Sequence, residues 1–414
     1  MSVARMALAL TVLLGAGASA PEAPHVMVCP QKASAASGPL RLRTTFCVYG
    51  PDGGSRDGVF PSPDGASVFD VHAEPGFEAP AAFDLGRLAP GELRRVPLGP
   101  ASLPMEETPF AWSSDSHSVW GAVQAKVRPG GWAASPLQLV RIDLGGHLRP
   151  LPPLSWMGQD LDRITWVGGD GLAVAEFGTR GEFYRPARPN PRPTLAFVDA
   201  GHGRVLQTVH PPSLAPRLQP GDGGTPAAID QASAVVRPDG RLEAAFRAGV
   251  RWWVWTQGEA PRRLGFGDQQ AWDSVALTPD GRRLLAHLRL GASGVICEHA
   301  PGCPRPIPSS GALAVLYDLT SGRELWSLSA RSTQIEGAYA STAIAPDGRT
   351  ALIAGPADQS ADAIALMVSM SNGRVLQPLQ AASPGRAYRA GFAADGRHAW
   401  IRDREWLTLY DVAR

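Results

Sequence analysis

Eight polar side chains in this chain are of the types that bind or transform a small polar ligand: Arg163, Glu176, Arg247, Asp273, His287, Tyr388, Arg389 and Arg402. Arginine presents a fork of donors to a carboxylate or phosphate, so four arginines in one place would make an anion site. Glu176 and His287 are the pair that could exchange a proton, provided that the fold brings them within hydrogen-bond reach. Other chemistry is excluded by absence. The chain has no Gly-x-Ser-x-Gly elbow, no His-Glu-x-x-His and no phosphate-binding glycine loop, and its nine histidines do not cluster at ligand spacing. No catalytic residue and no cofactor is therefore expected.

Cysteine usage points to covalent staples. Cys29, Cys47, Cys297 and Cys303 fall into two local pairs, which in an oxidising compartment favours disulfides, although other pairings stay open. His299 lies between the second pair, yet two thiolates and one imidazole lack a fourth ligand, so no metal is expected. The compartment follows from the N-terminus: Arg5, an apolar run from Met6 to Leu14 and Ala18-Ser19-Ala20 form a signal peptide over residues 1–20, with cleavage before Pro21. The expected location is periplasmic or secreted, with no integral membrane segment once the leader is removed.

These residues must be positioned by a repeated element. Pro63-Asp64-Gly65, Pro238-Asp239-Gly240, Pro279-Asp280-Gly281 and Pro346-Asp347-Gly348 are copies of one turn, and Ser114-Asp115-Ser116, Gly169-Asp170-Gly171 and Ala394-Asp395-Gly396 are weaker copies. Proline presets φ for the first turn position, aspartate bonds nearby backbone, and glycine takes the positive φ that follows, so each copy is a tight β-hairpin. A second hairpin corner recurs downstream, at Gly201-His202-Gly203-Arg204, Thr320-Ser321-Gly322-Arg323 and Asn372-Gly373-Arg374. One repeat is thus four antiparallel strands.

The seven aspartates from Asp64 to Asp395 span 331 positions in six steps, about 55 residues per repeat. Seven such repeats account for nearly everything after the leader, which predicts an all-β, seven-bladed β-propeller over residues 40–414, preceded by a tail at 21–39. The last repeat ends one strand short, because Trp406 to Val412 matches a third strand and the sequence stops at Arg414. The unpartnered β-prone segment 40–49 is expected to supply the missing outer strand of blade seven.

Apolar strands joined by Pro-Asp-Gly turns, with an aspartate before a glycine corner, resemble the WD40-like propellers of bacterial envelopes, including TolB-type and quinoprotein amine dehydrogenase-like repeats. The Gly-His and terminal Trp-Asp pairs of true WD40 repeats are missing. The resemblance implies a binding function more readily than catalysis. Asp318-Leu319-Thr320-Ser321-Gly322-Arg323-Glu324-Leu325-Trp326 is similar to the tryptophan-docking repeat of quinoprotein dehydrogenases, but it occurs once, which favours a packing role for Trp326.

The long connections, 72–82, 125–136, 178–193, 207–230 and 291–311, all fall on the face opposite the Pro-Asp-Gly turns, and aligning the repeats places the eight polar residues at the loop-facing mouth of the channel. Trp252-Trp253-Val254-Trp255 is read with Trp253 on the face opposite Trp252 and Trp255, leaving one side half-exposed. With 39 Lys and Arg against 38 Asp and Glu, the net charge of +1 gives no field to draw nucleic acid or anionic lipid. The expected role is a non-enzymatic scaffold that binds an envelope protein or peptide, with a small ligand as a further possibility. The alternative is a propeller enzyme, lactonase-like or dehydrogenase-like, with its site at the channel mouth.

Overall fold

The computed structural model describes residues 26–28, 38–48, 58–72, 82–87, 92–97, 101–102, 110–125, 137–177, 194–209, 229–248, 251–264, 272–288, 312–329, 341–355, 365–379, 387–403 and 406–413. Every regular element among them is a β-strand, and the strands form seven antiparallel sheets that close into a ring of blades. Blades one, four, five and six have four strands in chain order. They are Gly58–Pro61, Ser67–His72, Ala82–Arg87 and Glu92–Pro97; Ile229–Val236, Leu242–Ala248, Arg251–Thr256 and Arg262–Arg263; Trp272–Leu277, Arg283–Leu288, Ala312–Asp318 and Glu324–Ser329; and Ser341–Ile344, Thr350–Ala354, Ala365–Ser369 and Val375–Leu379. In blade two, Ala101–Ser102 and Ala111–Trp112 both pair with Ser118–Ala125, ahead of Leu137–Asp143 and Leu148–Pro150. Blade three adds a short strand, Ser155–Trp156, before Gln159–Trp166, Leu172–Phe177, Thr194–Asp199 and Arg204–Val209.

Blade seven joins the two ends of the chain. Ala387–Phe392, His398–Asp403 and Trp406–Val412 are followed by Leu40–Val48, whose register runs from Leu40 opposite Val412 to Cys47 opposite Trp406. The expected closing strand is therefore in place. Val26–Val28 pairs outside it as a fifth strand that the sequence reading assigned to a tail. Gln377 of blade six grips the closing strand at its start: its side-chain oxygen accepts from Leu40 N at 2.7 Å and its nitrogen donates to Leu40 O at 2.9 Å.

Successive first strands touch one another from blade four through blade seven, so the first strand of each blade is innermost. Second and third strands, apolar on both faces, fill the wedges between blades. Leu284, Ala286 and Val315 face blade four with Trp252 and Val254, whereas Leu285 and Leu316 face Ile353 and Val368 of blade six. This arrangement buries the whole tryptophan run. Trp253 and Trp255 share the blade-three side and Trp252 takes the other, with all three 7% exposed or less. The expected half-exposed side is absent because a third strand with a blade on each face has no free side, and a period of two places positions 253 and 255 together.

The seven Pro-Asp-Gly-type turns are variants of one tight hairpin. In each the third residue has positive φ, including Ser116 at 61° in the copy without glycine, and in six of the seven its N–H donates to the carbonyl three residues back. In blades one, two and five a hydroxyl that the turn motif omits completes the unit. Ser62, Ser113 and Thr278 each donate to the turn aspartate, at 2.5, 2.5 and 2.6 Å, and accept the N–H five residues on. Asp115 is accordingly held below the usual carboxylate range, first by the Ser113 hydroxyl and then by His117 N–H. Neighbouring turns also meet: Asp64 N donates to Ser116 Oγ at 3.1 Å, Ser114 Oγ donates to Asp170 at 2.7 Å, and Gly348 and Gly396 pack against Pro279 and Pro346 of the preceding turns.

Three outcomes are expected. Removing residues 40–49 should abolish a normal cooperative melt in calorimetry, and Phe46→Ala, 4% exposed in the blade seven–one wedge, should cost about 3–5 kcal/mol. Gly281→Ala should cost more than Gly240→Ala. Both have positive φ, a strain of about 1–2 kcal/mol, but a Cβ on Gly281 would also lie 2.6 Å from the Glu243 carboxylate, whereas Gly240 faces open space. Denaturant midpoints of the two variants check the order.

Candidate functional site

Three of the eight polar residues occupy one repeat position. Glu176, His287 and Arg402 each lie on the second strand of their blade, directly opposite Arg163, Ser274 and Arg389 of the innermost strand. All three are buried, at 2%, 0% and 3% exposure. Alternation along the second strand turns this position toward the next blade, so they enter the three–four, five–six and seven–one wedges respectively. Glu176 and His287 are therefore separated by the whole of blade four and are not brought together as an acid/base pair. The corresponding residues in blades two, four and six are Ala122, Ala245 and Ala354, fully buried and small.

His287 is the most perturbed group of the set. Neither ring nitrogen has a hydrogen-bond partner, and burial pushes its pKa down from 6.5 to about 3, so the imidazole is neutral throughout the physiological range. It packs beside Leu285 at the loop-facing end of the wedge, opposite Ala314 of the third strand.

The remaining residues trace a feature of the innermost strands. A β-bulge interrupts the first strand at the loop-facing end in blades three, four, five and seven, between Leu161 and Arg163, Asp230 and Ser233, Trp272 and Ser274, and Ala387 and Arg389. Asp273 and Tyr388 are the extra residues of two of these bulges, and Arg163 and Arg389 directly follow two of them. Arg247 pairs in register with Asp230 at the third. A bulge leaves one residue unpaired and re-aims its neighbours. Ser233 and Ser274, set by their bulges, stitch adjacent innermost strands: Ser233 Oγ accepts from Leu277 N at 3.1 Å, and Ser274 Oγ lies 3.0 Å from Thr342 Oγ1. Arg389 lies 5.9 Å from the centre of the Phe60 ring of blade one, a cation–π distance.

On the opposite, short-turn face two clefts open between blades. One of about 630 Å³ spans the ring seam, lined by Arg43 and Phe46 of the closing strand, the Asp64-Gly65 turn, Arg87 and His117. Arg43 sits at a bulge in the closing strand and reaches His398 at 3.3 Å, which in turn contacts Asp411 at 3.1 Å. The other cleft, of about 320 Å³, lies between blades four and five and contains Arg237, Glu243, Thr256, Arg262 and Arg282. Glu243 is the anomaly here. At the same second-strand position the other blades carry Phe69, Trp120, Val174, Leu285, Leu352 and Trp400, all apolar. Its side chain is 4% exposed and pairs with Arg237 Nη1 at 2.9 Å, while burial outweighs that partner and pushes the carboxyl pKa up. Sequence reasoning missed it because no motif contains it; aligning the second strands on the turns would have exposed one charge among six hydrophobes.

Cys29, Cys297 and Cys303 lie outside the described residues, and Cys47 is placed only by its backbone, between Met27 and Trp406. The greater part of the long connections also lies outside them. Trp326 is buried between blades five and six, with its indole N–H donating to Met370 O at 3.1 Å, which is a packing role. Among the described residues no group of three or more His, Cys, Asp or Glu is arranged to hold a metal, and no helix is long and apolar enough to cross a membrane.

Comparison with solved structures places the architecture. A chain from the crystal structure of the mitotic checkpoint complex superimposes with a TM-score of 0.53 at 11% identity, over 97% of this chain and 98% of that one. The Dos1 propeller matches with a TM-score of 0.53 at 10% identity, over 90% and 96%. The fold is that of a WD40-like propeller. No protein-family model matches the sequence, and no curated protein does. Within the WD40-like class, the narrower likeness to TolB-type repeats rests on the turn motifs alone.

The buried imidazole gives a pH signature. With a folded pKa of about 3 against 6.5 unfolded, its contribution to stability is complete above pH 6.5 and is lost as pH falls toward 3, at about 1.4 kcal/mol per unit. His287→Leu should flatten that part of the stability curve, so that wild type and variant diverge below pH 6.5 in denaturant titrations; parallel curves would contradict the assignment.

Proposed function

We propose that this protein is a non-enzymatic scaffold of the bacterial envelope or exterior, exported by residues 1–20, that binds a protein or peptide on the loop-facing end of the propeller. The observation that carries the reading is the bulge at one register in four innermost strands, all at that end. Bulges gather beside binding sites because they turn side chains out of the ladder, and four of them stand around one channel mouth. The dispersal of Glu176, His287 and Arg402 into separate wedges supports binding over acid/base catalysis. The likeness to a chain from a multiprotein assembly agrees with a scaffold role, although at 11% identity it speaks for the fold and not for any partner.

The reading has two tests. N-terminal sequencing of protein from fractionated cells should begin at Pro21 in the periplasm or medium. Crosslinking in the native envelope should then capture one dominant partner, lost when the 207–230 and 291–311 connections are shortened and retained when Arg349 in a short turn is changed. Retention after loop shortening, or lactone hydrolysis or quinone absorbance in the purified protein, would overturn the proposal.

A further inference from the structure

The short-turn face carries an independent site. In the cleft between blades four and five, Glu243 is neutralised by Arg237, and Glu259 by Arg241 at 2.6 Å. Two guanidinia that line the same cleft, Arg262 and Arg282, form no ion pair among the described residues. Arg262 spends one amino group on Leu319 O at 2.7 Å and keeps its others, and the Arg282 side chain is exposed. The Nε of Arg237 is buried and lies 3.6 Å from the Asp239 carboxylate, an ion pair beyond hydrogen-bond distance. The residues that line the cleft carry three guanidinia against two carboxylates, and Arg262 and Arg282 keep unspent donors, although the chain as a whole is balanced at +1.

From these residues we propose that the blade four–five cleft binds a tetrahedral oxyanion, a phosphate group, between Arg262 and Arg282. Three features point to that class. The free donors come from different blades, Arg262 from the strand Arg262–Arg263 of blade four and Arg282 from the turn before Arg283–Leu288 of blade five, so they approach from separate directions and suit a tetrahedron better than a planar carboxylate. The volume of about 320 Å³ fits a compact head group. Glu243 takes the place of a core hydrophobe, and a buried ion pair is a weak route to stability, so its presence is better explained by what it holds in position. It anchors Arg237 at the cleft floor.

Isothermal titration calorimetry of the full chain with sodium phosphate, at constant ionic strength, tests the site. The expected result is saturable 1:1 binding in the millimolar range or tighter. Arg262→Gln and Arg282→Gln should each weaken it at least tenfold with unchanged melting, whereas Arg349→Gln, the equivalent turn position in blade six, should change it less than twofold. A phosphoserine peptide that binds at least tenfold tighter than inorganic phosphate assigns the group to a phosphorylated partner, and equal affinity assigns it to the free ion. Absence of saturable binding, acetate binding as tight as phosphate, or equal weakening by Arg349→Gln would overturn the proposal.

Discussion

The ring depends on one set of backbone hydrogen bonds, those between Leu40–Val48 and Trp406–Val412. A propeller blade is stable only when both of its faces are covered, and blade seven covers its neighbours only if its own sheet is complete. Blade six contributes to the closure through Gln377, which is 1% exposed and satisfied at both ends of its amide by Leu40. A buried amide is acceptable there because both of its hydrogen-bonding atoms are used. Leu40 then joins Leu352, Met367 and Tyr410 in the six–seven wedge, and Phe46 joins Val68 and Leu409 in the seven–one wedge. The residues farthest apart in sequence thus form the joint that holds both wedges flanking blade seven.

The repeated turn is the second organising device, and it acts between blades as much as within them. Its positive-φ residue is where neighbours meet: the glycines of blades six and seven lie under the preceding proline, and Gly171 lies against the Trp120 ring. A side chain at these points would need space that the adjoining turn occupies. Blade two departs from the pattern with Ser116 at positive φ, and the hydroxyl offsets some of that cost by accepting Asp64 N–H from blade one. Short turns that abut in this way close one face of the ring, except where polar residues line the two clefts.

Buried polar groups are unevenly distributed, and their positions carry the functional reading. A second strand between two blades has no solvent face, so each charged residue on it has to be neutralised, bonded or driven to its neutral form. Glu243 does this with Arg237 and His287 by losing its proton. Charges in these wedges contribute little stability, which is why Glu243, buried where the other blades carry a hydrophobe, reads as part of a site.

Much of this was legible locally. The spelling Pro-Asp-Gly encodes a turn through three independent backbone preferences, and seven copies averaging about 55 residues apart define seven blades, so architecture, blade count and the need for a closing strand followed from residues a few positions apart. The polar site was legible only in part. Aligned repeats could not show that Glu176, His287 and Arg402 turn into three separate wedges, because the direction of a side chain depends on register and the register is shifted by bulges. Likewise no local signal marks Gln377 as the clamp on Leu40 or Arg262 and Arg282 as neighbours in one cleft. Those contacts exist only once adjacent blades are packed, since the groups that create them lie on different blades and are joined by the closure of the ring.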